Sequence, residues 1–174
     1  MKSESIVLIG MAGVGKSGIG SSLAEALGFE FIDLDDYIQE KEGTTLQKII
    51  DTENELTLLQ LEKQRMYEID LPCRVVAPGG SIIYHPDLME YLRQHSTLVH
   101  LDDSFANIES RLTNAQMRGI VGLKSKSLRE IYDERRPLYS RYADITVDCR
   151  GKTWDQVVRE ILNWYSEHKN MEEG

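Results

Sequence analysis

A glycine-rich loop between an apolar run and a helical pattern constrains the fold more than any other feature of this sequence. The stretch GMAGVGKS, residues 10–17, follows IVLI and matches the spacing GxxxxGK[ST]. Glycine in such a loop lets successive backbone N–H groups point at phosphate oxygens, at the positive end of the following helix. Lys16 adds a charge at the β and γ phosphates, and the Ser17 hydroxyl can bind magnesium. The loop therefore predicts a site for a nucleoside triphosphate with Mg²⁺, formed by Gly10, Met11, Ala12, Gly13, Val14, Gly15, Lys16, Ser17 and Gly18.

The same loop also fits a second spacing. Gly13, Gly15 and Gly18 spell GxGxxG, and Asp33 and Asp35 follow about 20 residues later, where a dinucleotide-binding fold keeps its ribose-binding acid. Pyrophosphate binding in that fold does not require a Gly-Lys-Ser sequence. The dinucleotide-binding sheet also has six strands, whereas this chain has five predicted strands. We therefore prefer the phosphate loop, with a dinucleotide loop or an ordinary glycine-rich turn as the alternatives.

Short β-branched runs alternate with helical segments along the whole chain. The runs are SIVLIG, FEFIDLD, RVVAPGG, STLVHLDD and DITVDC, at residues 5–10, 29–35, 74–80, 96–103 and 144–149. Such alternation is typical of a parallel sheet with helices on both faces. We expect an α/β protein with a three-layer P-loop fold, a five-stranded parallel sheet flanked by helices, as a single domain over residues 1–174.

Two segments exceed what this fold needs. Residues 36–71 form a long, helix-rich excursion between the second and third strands, which we expect to bind the substrate. Residues 112–126 contain TNAQMRGIVGLKSK, in which glycines and basic residues interrupt a helical pattern. Loops of this length are usually functional lids or disordered, and we expect a lid carrying Arg118.

Helix boundaries are predicted by capping boxes, in which two side chains and two backbone N–H groups pair reciprocally. The candidate pairs are Thr44 with Gln47, Ser127 with Glu130, and Thr153 with Gln156. Pro137 is expected to end or kink the helix that starts near Ser127. In the last helix, one apolar face is predicted to lie in the core and comprises Trp154, Val157, Val158, Ile161 and Tyr165.

Charge and termini limit the partners. The net charge of −9 and pI near 5.0 argue against nucleic acid or anionic membrane as the main partner, because both need an extended basic surface. The N-terminal stretch has no apolar segment long enough for a signal peptide or membrane span. Cys73 and Cys149 fit neither a disulfide framework nor a zinc site. We expect a cytoplasmic monomer that acts on a small molecule.

Acidic residues end the second predicted strand, in FIDLDDYI. Asp33 and Asp35 are two residues apart and so share one face of the strand, which lets both face the crevice at the carboxyl end of the sheet. One carboxylate beside magnesium and one beside an acceptor hydroxyl is the arrangement that phosphoryl transfer needs. Asp36 is the better candidate for a helix cap.

At this point the chain resembles the shikimate kinases, within the nucleoside monophosphate kinase-like group of P-loop proteins. The resemblance spans nearly the whole chain and rests on GMAGVGKS, FIDLDDYI, APGGS, the lid with Arg118, and ERRPLYSRYAD. It implies transfer of the γ-phosphate of ATP to the 3-hydroxyl of shikimate, a step of aromatic amino acid biosynthesis.

The resemblance also implies roles for individual residues. Lys16 and Ser17 would serve ATP and magnesium, with Asp33 near the metal and Asp35 binding and deprotonating the hydroxyl. Gly79 and Gly80 match two of the three glycines that line the substrate, and Ser81 stands in the place of the third. Arg118 matches a lid arginine that closes on the phosphates, Arg111 a residue near the adenine, and Arg135 an arginine that binds the substrate carboxylate.

The chain departs from the family pattern in the acceptor segment. Leu59 stands where a second carboxylate-binding arginine is expected, with Lys63 one helical turn beyond as a possible substitute, and Ser81 replaces the third glycine. The lid lacks the proline that commonly follows its arginine. The alternatives to a shikimate kinase are a kinase of a different small hydroxylated metabolite and a non-catalytic nucleotide-binding regulator. A GTPase lacks support because the sequence has no NKxD, and a nucleoside monophosphate kinase would need more basic residues in 36–71.

Overall fold

A computed structural model describes residues 5–117 and 119–172. Five strands form one parallel sheet in the order β2-β3-β1-β4-β5. They are β1 Ser5–Ile9, β2 Glu30–Asp33, β3 Arg74–Ala77, β4 Thr97–Asp102 and β5 Ile145–Asp148. The predicted α/β class and parallel sheet are confirmed.

Helices connect the strands and cover both faces of the sheet. They are α1 Lys16–Leu27, α2 Leu34–Glu42, α3 Leu46–Thr52, α4 Glu55–Glu68, α5 Pro86–His95, α6 Phe105–Arg111, α7 Asn114–Met117, α8 Leu128–Tyr142 and α9 Trp154–Glu172, with a 3₁₀ helix at Gly80–Tyr84. Among the residues that the structure describes, no helix is long and apolar enough to cross a membrane.

The central strand divides its side chains between two cores. Successive side chains of a strand point to opposite faces, so Ile6 and Leu8 pack with α1 and α9, whereas Val7 and Ile9 pack with helices of the other layer. All four side chains are essentially inaccessible to solvent. Burial on both faces explains why β1 reads as an unbroken apolar run, and it fixes the loop after β1 at the middle of the sheet edge.

The end of the second strand differs from the sequence prediction. β2 stops at Asp33, and Asp35 lies in the first turn of α2. The cap of this helix is Asp33, whose Oδ1 accepts from the backbone N–H groups of Asp35 and Asp36. The expectation that Asp33 and Asp35 share one strand face, with Asp36 as the cap, is therefore wrong, because the free N–H groups at the start of α2 recruit the first carboxylate.

Of the predicted helix caps, two are confirmed and one is displaced. Ser127 and Glu130 pair reciprocally, as do Thr153 and Gln156. At α3 the cap is Thr45, whose Oγ1 accepts from the Lys48 N–H at 3.2 Å, one residue later than the predicted Thr44. Pro137 does not end α8, which continues to Tyr142.

Candidate active site

A cavity of about 580 Å³ lies where the loops after β1, β2 and β3 meet. The carboxyl ends of parallel strands form such crevices because every strand is followed by a loop and a helix at the same edge of the sheet. The cavity is lined by Ala12, Gly13, Gly15, Lys16, Ser17 and Gly18 of the glycine loop, by Asp33, Asp35, Gln39 and Leu46, by Ala77, Pro78, Gly79 and Gly80 after β3, and by Arg111, Leu112 and Trp154. The remaining loop positions, Gly10, Met11 and Val14, are buried beneath this surface.

The glycine loop wraps around the ammonium group of Lys16. Lys16 Nζ donates to the carbonyl oxygens of Gly10 at 2.7 Å and Met11 at 2.9 Å. Burial lowers the pKa of Lys16 to about 8, and the charges of Asp35 and Asp33 act in the opposite direction. Gly15, at φ 106°, caps α1 in a conformation that side chains rarely allow, which points the first N–H groups of the helix at the cavity. A cation and a helix N-terminus therefore converge on one point.

Asp33 and Ser17 place two oxygen donors beside this point. Ser17 Oγ donates to Asp33 Oδ2 at 2.5 Å. The other carboxylate oxygen of Asp33 accepts from backbone N–H groups at the start of α2, so the orientation of the carboxylate is fixed. A hydroxyl and a carboxylate held together fit Mg²⁺, which takes oxygen ligands and is usually bound by one or two carboxylates together with substrate phosphates.

Asp35 faces the same cavity in a different electrostatic setting. Its Oδ1 atom is buried and has no hydrogen-bond partner among the described residues. Burial, followed by the negative charges of Glu62 and Asp33, raises the pKa of Asp35 to about 7, and Lys16 opposes the shift. A buried carboxylate with an unused oxygen can accept a proton and a hydrogen bond from a ligand hydroxyl.

Glu62 is a second buried carboxylate, on the far side of Gly79. A Cβ atom at Gly79 would lie 3.0 Å from Asp35 Oδ1 and 3.1 Å from Glu62 Oε1, so this position has no room for a side chain without displacement of a carboxylate. Ser81 Oγ donates to Glu62 Oε1 at 2.5 Å, and both residues are at most 4% exposed. The hydroxyl of Ser81 therefore serves Glu62 and does not line the cavity.

Arg135 lies behind Gly80 and is only 2% exposed. A Cβ atom at Gly80 would be 3.0 Å from Arg135 Nη1. Nη2 donates to the carbonyl oxygen of Val121 at 2.6 Å and Nε to the Tyr84 hydroxyl at 3.4 Å. Among the described residues, no carboxylate forms an ion pair with Arg135. A buried cation without a counter-ion is costly, so this position favours binding of an anionic ligand.

Two side chains flank the glycine loop on its outer side. Arg111 Nη1 donates to Asp103 Oδ2 at 2.8 Å and to the Gly13 carbonyl at 3.4 Å. Trp154 was predicted to lie in the core, but its side chain is among the exposed large apolar groups, at 51%, and it lines the cavity. The prediction was wrong for Trp154 because helical periodicity identifies a face of α9, whereas the indole at the start of that face packs on Gly15 and Gly18 at the start of α1.

The predicted lid approaches the excursion over 36–71. Gly119 N–H donates to Gln47 Oε1 and Gly122 N–H to Glu55 Oε1, both at 2.8 Å. The predicted lid residue Arg118 lies outside the described residues. Leu59 lines a separate cavity of about 370 Å³, together with Tyr84 and Val121. Lys63, the possible substitute for the missing arginine, pairs instead with Asp87, with 2.5 Å between Nζ and Oδ2.

Both the sequence and the fold of this chain are similar to those of known proteins. The sequence model of the family described as shikimate kinase matches residues 12–166. A shikimate kinase from Persephonella marina is 33% identical over 161 residues, covering 91% of this chain and 97% of the relative. The structure of shikimate kinase from Acinetobacter baumannii in complex with shikimate superposes with a TM-score of 0.88 at 29% identity, covering 96% of this chain and 95% of that chain. The crystal structure of shikimate kinase from Aquifex aeolicus superposes with a TM-score of 0.79 at 29% identity, covering 94% of this chain and 97% of that chain.

Proposed function

This chain belongs to the shikimate kinase family, whose members are phosphotransferases acting on a hydroxyl group, and we propose that it transfers the γ-phosphate of ATP to the 3-hydroxyl of shikimate. The observation that carries the proposal is that a phosphate-binding group and a hydroxyl-binding group line the same cavity. Lys16 and the glycine loop favour phosphate on one side, and the unpartnered oxygen of Asp35 favours a hydroxyl on the other.

On the donor side, the loop residues Gly10 to Gly18 hold the phosphates of ATP. Lys16 exchanges its two carbonyl contacts for phosphate oxygens, whose negative charge offsets the desolvation that lowers its pKa. Ser17 and Asp33 hold Mg²⁺, which neutralises charge on the transferred phosphate when it is bound. Arg118 completes this side from the lid, and Arg111 contacts the adenine.

On the acceptor side, Asp35 is the general base. Its carboxylate takes the proton of the attacking hydroxyl as that oxygen bonds to the γ-phosphorus and the bond from the γ-phosphorus to the β–γ bridging oxygen breaks, which leaves ADP. A pKa raised towards neutrality suits a base that must later release the proton. The backbone of Gly79 and Gly80 lines the acceptor, and Arg135 binds its carboxylate from behind Gly80. Ser81 contributes by holding Glu62 and not by touching the acceptor.

One observation favours a second candidate acceptor. Leu59 supplies no charge where a second carboxylate-binding arginine is expected, and Lys63 is engaged with Asp87. A charge-assisted hydrogen bond contributes about 1.5–3 kcal/mol, so its loss corresponds to roughly 10- to 150-fold weaker binding. A different small hydroxylated acid, held by one arginine, is therefore the alternative to shikimate.

An ADP-release assay with shikimate, quinate and related hydroxylated acids tests the proposal. We expect shikimate-dependent ADP release by the parent protein and its loss in Lys16→Ala. The matched control is Lys169→Ala, in the last turn of α9 and outside both the excursion and the lid. Release with another acid and none with shikimate would replace shikimate as the acceptor. No release with any acid, combined with tight ATP binding, would favour the nucleotide-binding regulator.

Further expectations from the sequence remain proposals. We propose that the protein acts as a cytoplasmic monomer without a nucleic-acid or membrane partner, that residues 1–174 form one domain, and that 36–71 and 112–126 serve as substrate-binding excursion and lid. The net charge of −9 supports the absence of a nucleic-acid or anionic-membrane partner, because both need an extended basic surface.

A further inference from the structure

The guanidinium of Arg135 lies against the side chain of Tyr84. Tyr84 is the last residue of the 3₁₀ helix Gly80–Tyr84, which begins at a glycine that lines the cavity. Arg135 Cζ lies over the Tyr84 ring, 5.3 Å from its centroid, and Arg135 Nε donates to the Tyr84 hydroxyl at 3.4 Å. Tyr84 therefore contacts the cation with both its aromatic ring and its oxygen.

The contacts of Arg135 leave one of its nitrogens for a ligand. Nη2 donates to the carbonyl oxygen of Val121 at 2.6 Å, while Nη1 would lie 3.0 Å from a Cβ atom at Gly80. A guanidinium is planar and donates in fixed directions, so a turn of the group would move Nη1 away from Gly80. The contacts to Tyr84 and Val121 hold it in the orientation in which Nη1 is directed at Gly80.

Glu134 sets the direction of the Tyr84 hydroxyl. The hydroxyl donates to Glu134 Oε2 at 2.6 Å, which leaves its lone pairs for Arg135 Nε. Glu134 is in turn held by Lys126, whose Nζ donates to Oε1 at 2.8 Å and to Oε2 at 3.0 Å. Through Tyr84, the buried guanidinium is thus linked to a carboxylate that it does not contact directly.

The wall of the neighbouring cavity provides no other free cation for an acidic ligand. Leu59 and Tyr84 line the same cavity of about 370 Å³. Among the described residues of this lining, Lys126 is the only cation, and it is paired with Glu134. Recognition of a carboxylate on this side therefore depends on Arg135, and the orientation of its guanidinium decides the affinity.

From these contacts we propose that Tyr84 is a positioning residue that holds the guanidinium of Arg135 in the orientation that binds the carboxylate of the acceptor. Tyr84 acts through Arg135 and does not touch the acceptor. The proposal rests on the proposed function, because it takes the acceptor to be a hydroxylated acid with its carboxylate at Arg135. It adds a determinant of acceptor affinity and assigns Glu134 the task of directing the Tyr84 hydroxyl.

Steady-state kinetics of two variants at position 84 test this role. We expect Tyr84→Phe to raise KM for the acid that the parent turns over roughly 2- to 12-fold, the range for loss of one hydrogen bond. Tyr84→Leu should raise it further, because the contact between ring and cation is also lost. The values of kcat and of KM for ATP should change less than about two-fold, since a contact to the acceptor carboxylate is the same in the ground state and the transition state. Tyr91→Phe, which removes a tyrosine hydroxyl from α5, is the matched control.

A double-mutant cycle tests the link to Glu134. Glu134→Ala should raise KM for the acid in the parent and have little further effect in Tyr84→Phe, because the hydroxyl joins Glu134 to Arg135. Asp133→Ala, at a residue that pairs with Arg129 on the same helix, controls for the lost charge. Equal effects of Glu134→Ala in both backgrounds would show that Glu134 does not act through Tyr84.

The outcomes separate failure of the inference from failure of the proposed function. If Tyr84→Phe leaves KM for the acid unchanged, or changes kcat and KM for ATP as much as KM for the acid, the positioning role is wrong while the proposed function stands. If the parent releases no ADP with any hydroxylated acid, both the proposed function and the positioning role are wrong.

Discussion

The hydroxyl of Ser17 donates to Oδ2 of Asp33 at 2.5 Å and so joins the first turn of α1 to the end of β2. The other oxygen of Asp33 accepts from the first N–H groups of α2. One carboxylate thus orients a candidate magnesium site and starts a helix. The two tasks can be separated by mutation because a helix cap needs an oxygen, whereas a metal ligand benefits from the charge.

Asp33→Asn and Asp33→Ala should therefore differ in stability but not in activity. Both should lower shikimate-dependent turnover roughly ten-fold or more, as loss of a group around a metal does. Only Asp33→Ala should also lower the free energy of unfolding by about 1 kcal/mol, through loss of the cap. Urea denaturation and ADP release measure the two effects. Near-parent turnover of Asp33→Asn would contradict the metal assignment.

Asp35→Asn should remove catalysis with little effect on ATP binding. The amide cannot accept the hydroxyl proton, and general-base assistance contributes about 100- to 10,000-fold to a rate. ATP affinity by calorimetry should stay close to that of the parent, because Asp35 faces the acceptor. Asp36→Asn, at the neighbouring exposed position, is the matched control. Turnover of Asp35→Asn within a few-fold of the control would exclude Asp35 as the base.

Leu59→Arg should lower KM for shikimate roughly ten-fold or more if the acceptor site lacks one carboxylate contact. The half-buried Leu59 adjoins a cavity of about 370 Å³ that has space for a guanidinium and is lined by Tyr84 and Val121, both of which contact Arg135. Leu56→Arg is the control for the added charge, because Leu56 lies on the same helix and is 69% exposed. An unchanged or raised KM for shikimate, with weakened activity on another acid, would favour the different acceptor.

Ser81→Ala should destabilise the fold through Glu62. The carboxylate would lose its Ser81 donor while its Oε2, 3.9 Å from His85 Nε2, already accepts no hydrogen bond from the described residues. An unsatisfied buried group costs about 1–3 kcal/mol, which urea denaturation resolves. In a Glu62→Gln background the same change should cost less, since the amide is neutral. Equal costs in both backgrounds would show that Ser81 acts independently of Glu62.

Local patterns in the sequence were sufficient for the loop, the sheet and most helix ends. GMAGVGKS between IVLI and an amphipathic helix predicts the strand, loop and helix, because backbone conformation there depends on neighbouring residues only. Ser127 with Glu130 marks the start of α8 for the same reason, as both partners lie within one turn. These features need no knowledge of distant contacts.

At other positions, several neighbouring residues were equally good candidates for the same structural role, so the sequence did not identify which one is used. Thr44 and Thr45 are adjacent candidates for one cap, and the structure uses Thr45. Three neighbouring acids, Asp33, Asp35 and Asp36, are likewise candidates for the cap of α2. Because aspartate is favoured at helix starts in general, the sequence does not indicate which of the three carboxylates caps the helix and which face the cavity. Pro137 fits inside α8, where local preference favours a break.

What the sequence by itself determined is thus the phosphate loop, the alternation of strands and helices, and the acids that follow the second strand. Only the tertiary structure decided which groups face one another across the cavity. Arg135 comes to lie behind Gly80, Glu62 beside Ser81, and Trp154 on Gly18, with separations along the chain of 19 to more than 130 residues. Periodicity records which face of an element is apolar, whereas these contacts depend on strand order and on which backbone atoms leave room for a neighbour.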